Sequence, residues 1–437
     1  MPSFCYNRKA FLRISCMVFF FFCILLNVKA NEEPISTNIK WSFSEDGVLK
    51  LEGKGEMDFR YFPWYDYKKK IRKVFISEGI TTIQPSAFKN CYNIEEISLP
   101  KTLKVIGVCA FYAGTHRLRN IVIPDSVERI ESLAFAASYG VEKIIIGKSV
   151  KYISDRAFYG CCNKLKEIVI PSSVNFIGGS AFEGCSSLKK ATFEHGLDNP
   201  ISLGGSTFCE CDSLTTCKLP LSLKDIPSST FRKCPKLEKI IIPDGVKSIG
   251  AWAFQGCSNL TEILLPASVE ELSERVFGDT NLRLIQFPNR IVKFYDFAFS
   301  GCQSIEYLIN PYPEPYFVND DLGLYLDKTT LVVPDASVEK YKNAQYWKNF
   351  KQVIGLSTYK LSANITQQTQ KDCSFSNRNG YLKIDNVPIG QNICIYDIHG
   401  RLLEKGICTS GTYSFRNQES LVIVTIGNKS YKVTISK

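Results

Sequence analysis

The residues with the clearest chemical potential in this sequence are its cysteines. The 437 residues include 17 Cys but only three His, at His116, His195 and His399. Zinc sites combine Cys and His at short, regular spacings. Here Cys161-Cys162 and Cys209-x-Cys211 lie close together, but no second pair or His follows either at ligand spacing. The sequence therefore predicts neither a bound metal nor another cofactor.

Catalytic motifs are equally sparse. No GxSxG, HExxH, P-loop or dinucleotide-binding glycine pattern occurs. Asp320-Asp321 allow a Ca²⁺ contact, although an exposed loop is the simpler interpretation. A general acid and base also need a cleft, whereas the repeats described next predict a smooth wall. We therefore expect a protein that is not an enzyme.

The strongest signal is a repeat of about 23 residues. An Ala-Phe pair, or a close relative, recurs at intervals of 22 to 26 residues, and an apolar triplet ending in Pro keeps the same phase. Seven units carry Cys three residues after the Phe. The Phe positions are Phe88, Phe111, Phe135, Phe158, Phe182, Phe208, Phe231, Phe254, Phe277 and Phe299. The Pro positions are Pro100, Pro124, Pro171, Pro220, Pro243, Pro266 and Pro288, and the Cys positions are Cys91, Cys161, Cys185, Cys211, Cys234, Cys257 and Cys302.

The unit from Leu237 to Cys257 (LEKIIIPDGVKSIGAWAFQGC) shows how each repeat folds. Alternating apolar residues predict a short strand, which Pro243 ends because it lacks an N–H donor. Asp244-Gly245 predicts a turn, a second apolar pair follows, and Ala253, Phe254 and Cys257 predict a compact helical turn that packs inward. One unit cannot bury its apolar edge alone, so neighbouring units must stack into a parallel-strand solenoid.

These three markers resemble the BspA-like leucine-rich repeats. The preceding residues, Trp41 to Trp64 with Asp46-Gly47, resemble that family's N-terminal β-hairpin cap. The segment Thr330 to Leu356 resembles its terminal strand and helix. The resemblance implies a mostly β leucine-rich repeat solenoid of about ten units with short helical turns. The predicted boundaries are 31–73 for the cap, 74–310 for the repeats and 311–356 for the C-terminal cap.

The repeated Cys position predicts a column of thiols inside the solenoid. Free Cys behaves as a small buried hydrophobe. A disulfide needs a Cα separation near 5.5–6 Å and suitable Cβ directions, which identical stacked positions supply only by accident. We therefore expect mostly free, buried thiols.

The repeat also predicts two columns of outward-facing residues on the strand face, each made of equivalent positions in successive repeats. The first is Ser98, Val122, Ile145, Val169, Thr192, Lys218, Ile241, Leu264, Gln286 and Ile309. The second is Glu96, Asn120, Lys143, Glu167, Lys190, Thr216, Lys239, Glu262, Leu284 and Tyr307. Six aliphatic residues in the first column indicate either a docking stripe or ordinary strand propensity. The predicted protein-binding face is Val122, Ile145, Val169, Lys218, Ile241, Leu264 and Ile309 with Lys143, Lys239 and Tyr307.

The N-terminus has the pattern of a cleaved secretory signal at residues 1–30. Arg8, Lys9 and Arg13 precede an apolar run of about 13 residues, and Val28-Lys29-Ala30 fits a cleavage site. Removal of the signal lowers the net charge from +10 to +6, too small a bias to imply a nucleic-acid partner. The basic cluster from Lys68 to Lys73 indicates a solvated face or a polyanion site. We expect a secreted or cell-surface protein with no membrane span after signal removal.

The composition changes after Leu356. A polar stretch at 357–375 predicts a linker, and alternating apolar segments at 376–437 predict a small antiparallel β-sandwich. IYDIHGRLL (395–403) and IVTIGNKSYKVTI (423–435) resemble C-terminal sorting domains of type IX secretion. A retained β module without an export role is the competing interpretation.

Two function classes remain open on the sequence alone. The first is a surface or secreted protein that binds protein ligands through the solenoid face, and the family resemblance implies adhesion to host or microbial proteins. The second is a structural spacer or matrix component without a specific ligand. Glycan binding ranks lower because Tyr307 is the one aromatic residue in either outward column.

Overall fold

The structure is a computed structural model. It describes residues 38–161, 164–194, 199–288, 293–315 and 321–359, and, beyond residue 373, seven strands together with Val387. The chain divides into two compact units, one ending at Ile354 and the other beginning at Gly355. The predicted signal segment and most of the predicted linker lie outside the described residues. The bounds of the six predicted segments, from the signal at 1–30 to the β-sandwich at 376–437, stay predictions.

The first unit is a stack of repeats. Its parallel strands lie on two faces, here called the first and second ladders, and each ladder is made of more than one sheet. Most repeats contribute a longer strand that begins at the residue of the second outward column, and these strands pair in register with the equivalent strand of a neighbouring repeat. In the repeat of Leu264, Glu262 instead forms an isolated bridge to Leu284. A hairpin of Ile39–Phe43 and Val48–Gly53 begins this first ladder. Its other strands are Lys73–Ile76, Glu96–Ser98, Asn120–Val122, Lys143–Ile145, Glu167–Ile170, Lys190–Phe193, Thr216–Lys218, Lys239–Ile240, Leu284–Gln286, Tyr307–Ile309, Thr330–Val333 and Gln352–Gly355.

The second ladder follows the turn after each Pro position. Its strands are two residues long in most repeats and pair in parallel with those of adjacent repeats. They are Gly55–Glu56, Ile80–Ile83, Val105–Ile106, Arg129–Ile130, Tyr152–Ile153, Phe176–Ile177, Ser202–Leu203, Asp225–Ile226, Ser248–Ile249, Glu271–Leu272 and Lys293–Phe294.

The residues predicted to point inward do so. In the unit from Leu237 to Cys257, every residue predicted to point inward is buried, namely Leu237, Ile240, Ile242, Val246, Ile249, Ala253, Phe254 and Cys257. They join one continuous hydrophobic core that runs through the first unit. The predicted mostly β solenoid is therefore confirmed.

The Phe residues form a stack, here called the Phe column, along this core. Consecutive rings lie 5.0 to 5.8 Å apart between centroids and within 3° to 15° of parallel. Each Phe from Phe88 to Phe277 is almost fully buried. Stacked aromatic pairs at such distances contribute roughly 0.5–1.5 kcal/mol each beyond the area that they bury.

The turn that carries each Phe differs from the compact helical turn predicted for it. Ser86, Phe88 and Asn90 donate their N–H groups to the next repeat, whereas the intervening Ala87 and Lys89 donate to carbonyls three residues back. This alternation requires left-handed backbone two residues before and two residues after every Phe, with φ near +60° at Ser86 and Asn90. A helix cannot form because every second N–H points along the solenoid axis.

Larger aromatic rings close both ends of the core. Trp64 stacks on Phe88 at 5.9 Å and 18°, and its indole N–H donates to the carbonyl of Ala87 at 2.8 Å. At the other end, Tyr341 and Trp347 are buried in edge-to-face contact at 5.4 Å. Helical segments occur in these caps, namely the 3₁₀ turns Tyr65–Tyr67, Asp335–Ser337 and Trp347–Asn349 and the α-helix Val338–Asn343.

The second unit is an antiparallel β-sandwich, as predicted. One sheet orders Ser374–Arg378, Tyr381–Asp385 and Thr412–Arg416, and the other orders Leu402–Ile407, Asn392–Tyr396, Leu421–Ile426 and Lys429–Thr434. Residues from both sheets form one core, including Leu382, Ile384 and Phe415 from the first and Ile393, Ile395 and Val424 from the second.

Truncating the Phe column tests its role. We expect Phe182→Ala and Phe254→Ala each to lower the free energy of unfolding by about 3–5 kcal/mol, because each leaves a cavity between two stacked rings. Urea titration followed by circular dichroism measures the change. The control is Phe176→Ala, whose ring is exposed on the second ladder and whose loss should cost less than about 1 kcal/mol. Equal, small losses at Phe182 and Phe176 would contradict an internal column.

Candidate functional site

The predicted protein-binding face contains five strongly exposed aliphatic side chains. The exposed fractions are 57% for Val122, 43% for Ile145, 46% for Val169, 71% for Ile241 and 61% for Leu264. Strand alternation explains their position, since the residue before each of them is buried. Val122 pairs directly with Ile145, and Thr192 pairs with both Val169 and Lys218. The aliphatic stripe therefore falls into two patches separated by Thr192 and Lys218.

The remaining predicted face residues divide by position. Lys143, Lys218 and Lys239 are exposed, whereas Tyr307 and Ile309 are only half-exposed. Tyr307 and Ile309 pair with the strand Thr330–Val333, all four of whose residues are buried. The two half-exposed residues lie next to the C-terminal cap, so the open part of the face ends near Gln286, which is exposed.

Charged side chains beside the strands form ion pairs between repeats. Arg72 Nη2 lies 2.9 Å from Glu95 Oε2, and Arg117 Nη1 lies 3.3 Å from Glu95 Oε1. Lys73 lies 3.0 Å from Glu96. The hydrogen bond from Arg72 lowers the pKa of the Glu95 carboxyl. Arg72 and Lys73 of the basic cluster are therefore ion-paired, and Lys68 lies 3.7 Å from the centre of the Tyr65 ring.

An open depression of about 690 Å³ lies beside the first aliphatic patch. Glu95, Arg117, Arg119 and Lys164 line it, and Val122 lies at its border with the face. The outward columns contain part of its lining, namely Glu96, Asn120 and Val122, but not its basic residues, which lie in the segments that precede the strands. Those columns alone therefore did not predict the depression. The repeat register does indicate these ion pairs. Arg72 and Arg119 occupy equivalent places in different repeats, because their carbonyls accept hydrogen bonds from the backbone N–H groups of Glu95 and Glu142.

The Cys residues form a thiol column, defined here as the seven repeated Cys positions. All seven are buried, which confirms the predicted packing role. Cys161, Cys234 and Cys257 each donate Sγ–H to the carbonyl of the Phe one repeat earlier at 3.1 Å. Burial raises the pKa of the Cys257 thiol to about 12. Since the thiolate is the nucleophile, such thiols are unreactive at neutral pH.

The remaining candidates for metal binding were Cys, His and Asp side chains. Among the described residues, no group of three or more His, Cys, Asp or Glu side chains could hold a metal ion. Cys162, His195, His399 and Asp320 lie outside those residues. Asp321 accepts a hydrogen bond from the N–H of Gly323 at 2.8 Å. No helix in the described parts of the chain is both long and apolar enough to cross a bilayer.

Comparison with known families agrees with this geometry. The model described as "BspA type Leucine rich repeat region (6 copies)" matches residues 64–189 and 187–306, which is more than half of the chain. This chain belongs to the BspA-type leucine-rich repeat family. No curated protein matches it significantly. The matched region begins at Trp64, whose ring stacks on the first ring of the Phe column.

Solved structures with a similar fold come from several bacteria. A leucine-rich repeat protein from Bacteroides ovatus is 23% identical, with a TM-score of 0.40 over 64% of this chain and 95% of that chain. A leucine rich cell surface protein from Faecalibacterium prausnitzii is 21% identical, with a TM-score of 0.38 over 76% and 98%. The pneumococcal vaccine antigen PcpA is 18% identical, with a TM-score of 0.40 over 74% and 98%.

The thiol column predicts a specific loss of stability at alkaline pH. The folded pKa of Cys257, about 12, exceeds the value of about 8.5 for an unfolded thiol. Above pH 8.5 the unfolded chain releases this proton first, so the contribution of Cys257 is complete below that pH and declines toward pH 12. We expect the difference in unfolding free energy between the natural protein and Cys257→Ala to be about 2 kcal/mol smaller at pH 10 than at pH 7.

Urea titrations at both pH values measure this difference. Ile241→Thr serves as the control, because it changes an exposed side chain that does not titrate and its effect should not depend on pH. A Cys257→Ala difference that is the same at pH 7 and pH 10 would contradict a buried neutral thiol.

Proposed function

We propose that this BspA-type protein is exported and binds protein ligands through the outward face of its first ladder, in adhesion to host or microbial surfaces. The observation that supports this most directly is the patch of Val122, Ile145 and Val169. Val122 and Ile145 are paired in register, and the strand of Ile145 contacts the strand of Val169. Single exposed aliphatic residues are ordinary, but a contiguous patch on a regular wall is typical of an interaction surface.

The chemistry around the patch suits a protein partner. Lys143 lies beside it on the second outward column, and the ion pairs of Glu95 and Glu142 lie beyond that column on the same side. An apolar centre with a polar rim is the usual composition of a protein interface. Solenoids of stacked repeats use such extended faces for binding.

Binding assays with the full chain test the proposal. We expect the natural protein to bind at least one member of a panel of purified extracellular-matrix and bacterial surface proteins in surface plasmon resonance. We expect the triple variant Val122→Thr, Ile145→Thr and Val169→Thr to bind that protein at least about tenfold more weakly, a loss of about 1.4 kcal/mol or more. The stability of this variant should stay within about 1 kcal/mol of the natural protein, because the changed side chains are exposed.

The matched control is Leu221→Thr, which changes an exposed aliphatic residue away from the outward columns and should leave binding unchanged. Unchanged binding by the triple variant would reject this face as the interface. If the natural protein binds no member of the panel at micromolar concentration, the spacer interpretation is favoured instead.

We infer that the C-terminal sandwich directs export. The two sequence segments that resemble type IX sorting domains overlap the strands Asn392–Tyr396, Leu402–Ile407, Leu421–Ile426 and Lys429–Thr434 of that sandwich. In a bacterium with this secretion system, a chain lacking residues 376–437 should stop in the periplasm, whereas the full chain should reach the surface or medium. A chain lacking residues 1–30 should stay in the cytoplasm. Immunoblots of cell fractions measure this, and surface delivery of the chain lacking 376–437 would reject a sorting role.

A further inference from the structure

Three exposed rings form a second aromatic column, here called the tyrosine–histidine column. Tyr92, His116 and Tyr139 come from consecutive repeats, and their ring centroids are 5.5 and 5.2 Å apart with tilts of 42° and 40°. Tyr92 is 38% exposed and Tyr139 47% exposed. A single exposed aromatic ring is ordinary, but a contiguous row of exposed rings is typical of a ligand-binding surface. The column therefore indicates a place where a ligand packs.

The tyrosine–histidine column borders the open depression, which His116 also lines. Positive charge is in excess there, because Glu95 and Glu142 each contact two cations. Glu96, which also lines the depression, contacts Lys73. Glu95 contacts Arg72 and Arg117. Glu142 contacts both Arg119 and Lys164, the latter at 3.8 Å. An anionic group entering the depression would therefore complement the charge around it.

The two arginines are held in a way that leaves part of each guanidinium open. Arg117 and Arg119 both contact their glutamates through Nη1, and a guanidinium carries five N–H donors in a rigid plane. Both side chains are more than half exposed. A fixed, exposed guanidinium binds a carboxylate in a bidentate manner more strongly than a mobile one would.

We propose that this depression binds an acidic oligosaccharide, with sugar rings packed against the tyrosine–histidine column and a sugar carboxylate bound by Arg117 or Arg119. The polar lining of Glu96, His116 and Asn120 supplies both donors and acceptors for sugar hydroxyl groups. A peptide is the competing ligand, since strand addition needs a free sheet edge and the strand Asn120–Val122 belongs to a two-stranded sheet with Lys143–Ile145. The exposed rings and guanidinium groups favour the acidic sugar, and a peptide probe separates the two.

Calorimetric titration of the full chain tests the proposal. The probes are an oligosaccharide of galacturonic acid, the neutral galactose oligosaccharide of the same length, and a polyglutamate peptide. We expect the acidic sugar to bind at least about tenfold more tightly than either of the others. Tyr139→Ala and Arg119→Gln should each weaken its binding about tenfold.

The chain offers matched controls for both variants. Arg283 occupies the place of Arg119 in a distant repeat, because its carbonyl accepts from Glu306 as that of Arg119 accepts from Glu142. Tyr325 is an exposed tyrosine outside the depression. Arg283→Gln and Tyr325→Ala should leave the affinity unchanged. None of these variants alters Val122, Ile145 or Val169, so failure here leaves the proposed protein-binding face untouched.

Three results would overturn the proposal. The first is no binding of the acidic sugar at millimolar concentration. The second is equal affinity for the acidic and neutral sugars, or an acidic-sugar affinity that Tyr139→Ala and Arg119→Gln leave unchanged. The third is tighter binding of polyglutamate, which would assign the depression to an acidic peptide instead.

Discussion

Stacking of identical turns is the constraint on which the first unit depends. The Phe column places each ring between two others at 5.0 to 5.8 Å, and this spacing is compatible with the roughly 4.8 Å between hydrogen-bonded strands. Aromatic contact and backbone pairing are therefore satisfied together, turn after turn. Any residue that alters the rise at one turn would disturb both ladders, so the interior is uniform while the surface is not.

The turns meet this constraint at a local energetic cost. Non-glycine residues such as Leu133, Arg156 and Trp252 adopt left-handed backbone beside their Phe, and each such residue costs roughly 1 kcal/mol or more. The cost is offset because the left-handed residues themselves donate N–H groups along the axis, as Leu133 does to Asp155 and Trp252 does to Glu274. A turn isolated from its neighbours would keep the strain and lose the compensating bonds, which makes folding of adjacent repeats cooperative.

Much of the architecture could be predicted from the sequence because one period governs both strands and turns. The inward positions of the unit from Leu237 to Cys257 all proved to be buried, and the aliphatic residues from Val122 to Leu264 proved to be exposed. The left-handed turns could not be predicted, since residues such as Leu133 and Trp252 carry no local signal for that conformation. The outward columns do not predict the depression either, because it depends on ion pairs between repeats, where Glu95 and Glu142 each contact two cations.

The first strand of the chain's described region runs against the direction of the ladder that it begins. Ile39–Phe43 pairs antiparallel with Val48–Gly53, whereas the following strands Val48–Gly53, Lys73–Ile76 and Glu96–Ser98 pair in parallel. A second copy therefore cannot extend the parallel register at this end, and Trp64 covers the terminal ring of the Phe column. A protein built from self-complementary turns would otherwise be prone to polymerise end to end. The antiparallel hairpin therefore disfavours stacking of a second copy onto the N-terminal end of the solenoid.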